Sequence, residues 1–135
     1  SREDLAILYN AADVFVSTSW GEGFGLTIAE AASCGTPIIA QGVSSIPEVV
    51  GDGGILIKPK ETITVPSGQD QWLPNVDAFT AAIDYLYTAE KARTEFGKKA
   101  RQHVENTFSW DQAARSFDVL IDNALHDSEN GDIDE

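Results

Sequence analysis

The stretch Gly21–Ala40 reads GEGFGLTIAEAASCGTPIIA, and it decides the fold of this chain. Glycines crowd its first five residues, an apolar helical pattern follows, and Gly35 then precedes Pro37, which cannot continue a helix. The residues that follow are apolar and β-branched, as in a buried strand. The stretch therefore predicts a glycine loop, a helix over residues 25–34 and a strand over residues 37–40.

The residues before this stretch predict a helix and then a strand. Apolar residues recur at helical spacing over residues 2–11, and Ser1 and Asp4 stand in the positions of a capping box. The run at 13–17 is apolar, β-branched and aromatic, which is typical of a strand covered on both faces. We expect this strand to end where the glycine loop begins.

The residues after the stretch predict a short helix and a third strand. Ser45 and Glu48 have the spacing of a capping box, and Pro47 lies in the first turn, where a proline's missing amide proton costs nothing. A glycine-rich turn at 51–54 then leads into an apolar strand at 55–57.

Strands that alternate with helices at this interval predict an α/β fold, a partial Rossmann-like parallel sheet with flanking helices. Three strands are few for such a sheet, so either further strands precede Ser1 in a longer protein or the sheet has an unprotected edge. Residues 58–74 show no period and are predicted to be a long exposed loop. Residues 76–126 are predicted to form C-terminal helices that complete one domain over residues 1–126, and residues 127–135 to form an acidic, disordered tail.

Composition and charge exclude several classes of function. The chain of 135 residues carries 9 Lys and Arg against 22 Asp and Glu, a formal net charge of −13. So acidic a chain is repelled by phosphate backbones and anionic headgroups, so we expect no nucleic-acid partner and no direct membrane insertion. The single cysteine, Cys34, excludes an internal disulfide and favours a reducing compartment. We therefore expect a cytoplasmic domain, or one that is peripheral to a membrane within a longer protein.

The glycine loop has the chemistry of an anion site. It lies between the end of a parallel strand and the start of a helix, the edge of a doubly wound sheet where ligands bind. Glycines let the backbone approach a ligand closely, and the first amides of the helix are unsatisfied donors. Glu30 lies about one turn into the helix, an axial offset of about 6 Å from Leu26 that suits a ribose next to a diphosphate. Glu22 stays in the loop, where its carboxylate suits the hydroxyls of a sugar.

These residues resemble the C-terminal half of retaining glycosyltransferase family 4, which has the GT-B architecture. The resemblance rests first on the two glutamates, separated by seven residues within GEGFGLTIAE. It continues through further motifs at Glu30–Ala40, Pro47–Val50, Gly53–Ile57 and Phe108–Trp110. It covers residues 4–125, nearly the whole chain.

The resemblance implies a nucleotide-sugar donor, a UDP- or GDP-sugar, and a hexosyltransferase that retains the anomeric configuration without an obligatory metal or other cofactor. It implies that Glu22 is the catalytic residue that contacts the donor sugar and that Glu30 binds the ribose. The residues between them would contact the sugar and phosphates, and these are Gly23, Phe24, Gly25, Leu26 and Thr27. The site for the acceptor, which is a glycan, a lipid or a small molecule, would belong to a missing N-terminal domain. The chain alone is then expected to be inactive.

The chain departs from the family pattern in two ways. It has no Lys or Arg between Arg2 and Lys58, so nothing in that segment offsets two glutamates and a diphosphate. In the family this cation comes from the upstream part of the domain. The loop over residues 58–74 is also longer than the family usually has.

Other interpretations of the same residues stay open. A non-catalytic GT-B-like interaction module would keep the fold and bind no nucleotide sugar, and a sugar phosphorylase or an epimerase is a further alternative, although the glutamate pattern argues against both. Thr27 would bind through its amide or through its hydroxyl. Glu48 would contact a ligand or only cap its helix. Cys34 is interpreted as a small buried packing residue.

Three patterns are interpreted as having no site function. The glycines of the loop are not a dinucleotide fingerprint, because the third glycine would fall at Leu26. His103 and His126 lie on helix patterns without ligand spacing, so we expect no metal site. Asp132-Ile133-Asp134 has the form used by metal-dependent glycosyltransferases of another fold, but it is interpreted as accidental in an acidic tail.

Overall fold

The computed structural model of the chain describes residues 1–68 and 70–130. They form two compact units, one over Ser1–Val104 and a second that begins at Glu105. In chain order the elements are α1 (Arg2–Ala11), β1 (Phe15–Ser17), α2 (Leu26–Ser33), β2 (Ile38–Gln41), α3 (Ile46–Val50), β3 (Gly54–Ile57), β4 (Glu61–Thr64), β5 (Asp70–Leu73), α4 (Val76–Thr88), α5 (Glu90–Thr107) and α6 (Trp110–Asn130). The domain boundaries at residues 1–126 stay a prediction.

The first unit is built on a parallel sheet of three strands in the order β1-β2-β3. The register places Ile39 between Val16 on one side and Ile55 on the other. Every residue of the central strand β2 is buried, whereas Val16 at the edge is 42% exposed. The parallel α/β fold is therefore confirmed, but the prediction that β1 is covered on both faces is wrong at Val16.

Helices cover both faces of β2. On one face Ile39 packs with Phe79 and Leu86 of α4. Because side chains alternate along a strand, Ile38 and Ala40 point to the other face, and both are fully buried. The helices α2 and α3 also contact β2. The core of the unit therefore lies on the two sides of this central strand.

Helix α1 begins and ends where the sequence predicts. The Asp4 amide donates to Ser1 Oγ at 3.2 Å, and the N-terminal ammonium of Ser1 donates to Asp4 Oδ2 at 2.9 Å, which completes the capping box. No residue of α1 is buried, and Leu8 on its apolar stripe is 65% exposed.

The segment predicted to be an exposed loop contains a β-hairpin. Strands β4 and β5 are antiparallel and pair Thr62 with Trp72. Thr64 Oγ1 also donates to Asp70 Oδ1 at 2.7 Å across the strands. The prediction of an exposed loop over residues 58–74 is therefore wrong for the residues of these two strands. Each strand has only four residues, and every residue of β4 is exposed. The alternation of apolar and polar residues that predicts a strand cannot be recognised over so short a segment.

The C-terminal part of the chain is helical, as predicted. The Gln112 amide donates to Ser109 Oγ at 3.2 Å, one half of the capping box expected at the start of α6. Helix α6 continues to Asn130, into the segment predicted to be a tail. The Asp132-Ile133-Asp134 motif lies outside the described residues. Within residues 1–68 and 70–130, no helix has both the length and the hydropathy to cross a membrane.

Candidate functional site

The glycine loop, Gly21–Gly25, lies between β1 and α2 on the carboxyl side of the sheet. Gly25 is the residue before the first turn of α2, and its φ of +98° is in the left-handed region. The backbone at Gly25 therefore requires glycine, and it directs the chain into the helix.

The first amides of α2 are available to a ligand. The amides of Ile28 and Ala29 both donate to the main-chain oxygen of Gly25. In contrast, the amides of Leu26 and Thr27 donate to no other residue in the described part of the chain. Such amides carry the positive end of the helix dipole, so a phosphate or another anion would satisfy them.

Two serines between β2 and α3 fix the backbone of the glycine loop. Ser44 Oγ donates to the main-chain oxygen of Glu22 at 2.8 Å. Ser45 Oγ lies 2.9 Å from the same oxygen and 3.1 Å from the main-chain oxygen of Phe24, so its proton is shared between two loop carbonyls. The segment between β2 and α3 therefore fixes the position of the glycine loop that follows β1.

The contacts of Ser45 overturn the capping box predicted at Ser45 and Glu48. Ser45 is the residue before α3, but its side chain makes no capping bond to that helix. The backbone of Ser45 is itself in the helical region, with φ of −76° and ψ of −12°, and the Glu48 amide donates to the main-chain oxygen of Ser45 at 3.1 Å instead of to its hydroxyl. Pro47 does lie in the first turn, as predicted. Capping therefore no longer explains Glu48, whose side chain is exposed.

The two glutamates differ in their surroundings. Glu22 is half-buried within the loop, whereas Glu30 is exposed on α2. The Tyr9 hydroxyl donates to Glu30 Oε2 at 3.0 Å. Burial raises the pKa of the Tyr9 phenol, and the hydrogen bond and negative charge of Glu30 raise it further. Tyr9 therefore keeps its proton at neutral pH and orients Glu30.

Tyr9 is a site residue that sequence reasoning missed. Its spacing in α1 indicated only an apolar face, and its partner lies 21 residues away in another helix. The pattern of α1 carried no signal for this pair.

A cavity of about 230 Å³ lies between α1 and α2, beside Glu30. Arg2, Leu5 and Tyr9 line it from α1, and Glu30 of α2 and Cys34, the residue after α2, line it from the other side. Cys34 is half-buried, so its interpretation as a buried packing residue is only partly correct. Arg2, whose side chain is exposed, lines the same cavity as Glu30.

His103 has a structural role in the first unit. His103 Nε2 lies 2.8 Å from the main-chain oxygen of Glu48 and donates to it when that nitrogen carries the proton. Any Cβ at Gly51 would lie about 2.7 Å from the His103 ring, closer than side chains tolerate. Among the described residues, no group of three or more His, Cys, Asp and Glu side chains is arranged to hold a metal.

Comparison with known proteins gives consistent matches. The family model of Glycosyl transferases group 1 matches residues 1–103. The chain is 54% identical over 59 residues to O-antigen chain mannosyltransferase B of Escherichia coli, which covers 44% of this chain and 16% of that protein. It is 34% identical over 128 residues to D-inositol 3-phosphate glycosyltransferase of Mycobacterium marinum, which covers 94% of this chain and 25% of that protein.

A solved structure supports the same assignment. Sucrose-phosphate synthase from Thermosynechococcus elongatus is similar in structure over 92% of this chain, with a TM-score of 0.71 and 29% sequence identity. The match covers 28% of that chain. The chain therefore spans less than a third of the length of each of these relatives.

Proposed function

Because the chain belongs to the group 1 glycosyl transferases, we propose that it is the donor-binding part of a retaining family 4 hexosyltransferase that uses a UDP- or GDP-sugar. The observation that carries the proposal is the start of α2. There the amides of Leu26 and Thr27 have no partner among the described residues, and Glu30 lies one turn further along, held by Tyr9. Amide donors and then a carboxylate match a diphosphate and then a ribose.

The diphosphate is bound by main-chain amides in this proposal. The amides over residues 23–27 take the phosphate oxygens and part of the sugar, and the positive end of α2 adds to the attraction. We take Thr27 to act through its amide rather than its hydroxyl. In this proposal, phosphate binding does not require a metal ion held by residues of this chain.

The ribose is bound by Glu30. A carboxylate has two oxygens with about four acceptor positions, so one hydrogen bond from Tyr9 leaves room for both ribose hydroxyls. Tyr9 fixes the direction of the carboxylate, and Arg2 in the adjoining cavity reduces the repulsion between Glu30 and the diphosphate.

Glu22 is the residue that we assign to the donor sugar. Its carboxylate accepts hydrogen bonds from sugar hydroxyls and orients the anomeric carbon. As the bond from that carbon to the diphosphate breaks, the electron pair moves onto a diphosphate oxygen, and the amides of α2 stabilise the new charge. The acceptor hydroxyl adds to the anomeric carbon from the same face, and its proton passes to the departing diphosphate oxygen, so the anomeric configuration is retained.

The acceptor is assigned to the rest of the protein. The names of the two curated relatives refer to an O-antigen chain and to D-inositol 3-phosphate, so we propose a glycan or a small hydroxylated molecule as the acceptor, with a lipid as the alternative. We further propose that the protein acts in the cytoplasm and that this chain alone binds the donor without transferring it. Sugar transfer by the purified chain would contradict that last point.

An amide-resolved NMR titration of the chain tests the donor site. UDP, GDP, UDP-glucose and GDP-mannose are added to the wild type, to Glu30→Ala and to Asp118→Asn, an exposed acid of α6 that serves as the charge-matched control. We expect one nucleotide to shift the amides of residues 23–27, with affinity about tenfold weaker in Glu30→Ala and unchanged in Asp118→Asn. If no amide of the folded wild type shifts with millimolar ligand, this chain does not bind the donor by itself. The same titration on a longer protein that includes the upstream part then separates a missing cation from a non-catalytic module.

A further inference from the structure

The β4–β5 hairpin is fixed to the end of the central strand. Gln41, the last residue of β2, is fully buried, and its Nε2 donates to the main-chain oxygen of Trp72 at 2.7 Å. Gln41 Oε1 is buried and has no hydrogen-bond partner among the described residues. A buried acceptor without a partner costs free energy, so the burial of Gln41 that joins the hairpin to β2 lowers the stability of the fold at this atom.

The indole of Trp72 lies against the start of the glycine loop. A Cβ built at Gly21 would lie 3.9 Å from Trp72 Cζ3 and 3.9 Å from Ser44 Cβ. Ser44 in turn donates to the main-chain oxygen of Glu22. The half-buried indole and the serine therefore border the loop directly before the residue assigned to the donor sugar.

We propose that the hairpin forms one wall of the donor site and that Trp72 contacts the donor sugar, so that it sets the preference for a nucleotide sugar over the free nucleotide. This inference rests on the proposed function, because it takes the loop at Glu22 as the sugar position.

The chemistry of the two side chains is complementary. A hexose presents hydroxyls at its rim and apolar C–H groups on its faces. The carboxylate of Glu22 accepts from the hydroxyls, and an indole offers a flat, rigid apolar surface to the C–H face. Ligand sites commonly combine apolar walls with a few polar groups in this way.

The test compares each nucleotide with its sugar conjugate. Dissociation constants for UDP, UDP-glucose, GDP and GDP-mannose are measured by amide-resolved titration in Trp72→Ala, in the conservative variant Trp72→Phe and in the wild type. For the base that binds, we expect Trp72→Ala to weaken the sugar conjugate about threefold to tenfold and to leave the free nucleotide within about twofold. Trp72→Phe keeps most of the affinity, because it retains an aromatic surface.

Two further variants separate contact from folding. Gly21→Ala adds a methyl group 3.9 Å from Trp72 Cζ3, an ordinary van der Waals distance, so the variant folds. The methyl group occupies space beside the indole, where this inference puts the sugar, so we expect it to weaken the sugar conjugate selectively. Ile63→Ala is the control for the hairpin, because Ile63 lies on β4 opposite Gln71 of β5. We expect it to leave the affinity for both ligands unchanged. If Trp72→Ala does not fold, Gly21→Ala decides the test.

The outcomes distinguish this inference from the function on which it rests. A wild-type chain that binds nucleotides while Trp72→Ala weakens both ligands equally, or neither, overturns the role of Trp72 and leaves the donor site in place. A wild-type chain that binds none of the four ligands overturns donor binding by this chain alone, and a longer protein that includes the upstream part and also binds none overturns the donor site and this inference with it.

Discussion

The hydroxyl of Ser45 lies 2.9 Å from the main-chain oxygen of Glu22, and this hydrogen bond joins segments 23 residues apart in sequence. It connects the start of α3 to the loop that precedes α2. The position of the Glu22 backbone therefore depends on the end of β2 as well as on its own loop. A side chain that the sequence assigned to helix capping instead supports the candidate site.

Replacement of Ser45 by alanine tests this support. Ser45→Ala removes the bonds to both loop carbonyls, so we expect a loss of about 1–2 kcal/mol in the free energy of unfolding and a weaker response of residues 23–27 to nucleotide. Chemical denaturation and the NMR titration measure the two effects. Ser44→Ala is the matched control with a smaller effect, because Ser45 still bonds the Glu22 carbonyl. Equal effects of the two variants would contradict this assignment.

Two glycines of the loop separate binding from folding. A Cβ at Gly23 would meet no described atom within 4 Å, whereas Gly25 has a φ of +98°. We expect Gly23→Ala to leave stability within about 1 kcal/mol of the wild type but to weaken nucleotide-sugar binding about tenfold, because the methyl group occupies ligand space. Gly25→Ala should instead destabilise the fold by about 1–2 kcal/mol. Unchanged affinity in Gly23→Ala would place the ligand elsewhere.

The Tyr9 phenol gives the chain a dependence on alkaline pH. Its pKa is raised in the folded state, first by burial and then by Glu30. The stability that it contributes is therefore fully present below tyrosine's ordinary pKa of about 10, and it is lost as pH rises through the folded value. Unfolding curves from neutral to strongly alkaline pH should show a steeper loss in the wild type than in Tyr9→Phe. Tyr87→Phe, at a side chain that is 82% exposed, is the control and should follow the wild type.

Gly97 tests the packing of α5 on the end of α2. A Cβ at Gly97 would overlap the main-chain oxygen of Gly35, which itself has a φ of +77°. Alanine gains about 1 kcal/mol in helix propensity over glycine, but the overlap with a fixed carbonyl costs more. We expect Gly97→Ala to lower the free energy of unfolding by about 1–3 kcal/mol. The neighbouring exposed residue offers the control Lys98→Ala, which should stay within about 0.5 kcal/mol.

Gln41 tests the attachment of the hairpin. Gln41→Leu keeps a similar volume but removes the donor to the Trp72 carbonyl. We expect the amides of β4 and β5 to exchange with solvent faster, while those of β2 keep their protection. Hydrogen exchange followed by NMR measures both strands in one experiment. If both lose protection equally, the change has destabilised the whole unit and the specific role of the bond is wrong.

Most of the first unit could be predicted from the sequence because its elements are signalled locally. The β2 strand is continuously apolar, Gly35 ends α2 with a positive φ, and Ser1 caps α1, so each boundary depends on residues within a few positions of it. The two glutamates of the candidate site were proposed in the same way, from a short motif at fixed spacing, and their binding roles stay a prediction.

The features that the sequence did not predict depend on distant partners. Ser45 has the spacing of a cap for α3, but the Glu48 amide donates to its main-chain oxygen, and its hydroxyl donates to the loop carbonyl of Glu22, 23 residues away. Tyr9 has an apolar ring in the pattern of α1, and only the fold brings Glu30 to its hydroxyl. The apolar run around Val16 predicts a buried residue, and Val16 is exposed because β1 lies at the edge of the sheet. The hairpin was missed because its strands are short.

The left-handed backbone at Gly25 has a consequence for the thermodynamics of association. It sets the direction of the Leu26 and Thr27 amides in the free protein, and the serine hydroxyls hold the preceding carbonyls at the same time. A flexible loop loses conformational entropy when a ligand orders it, and that loss subtracts from affinity. Here the donors are preorganised, so an anion that reaches them meets an arrangement already close to its bound form.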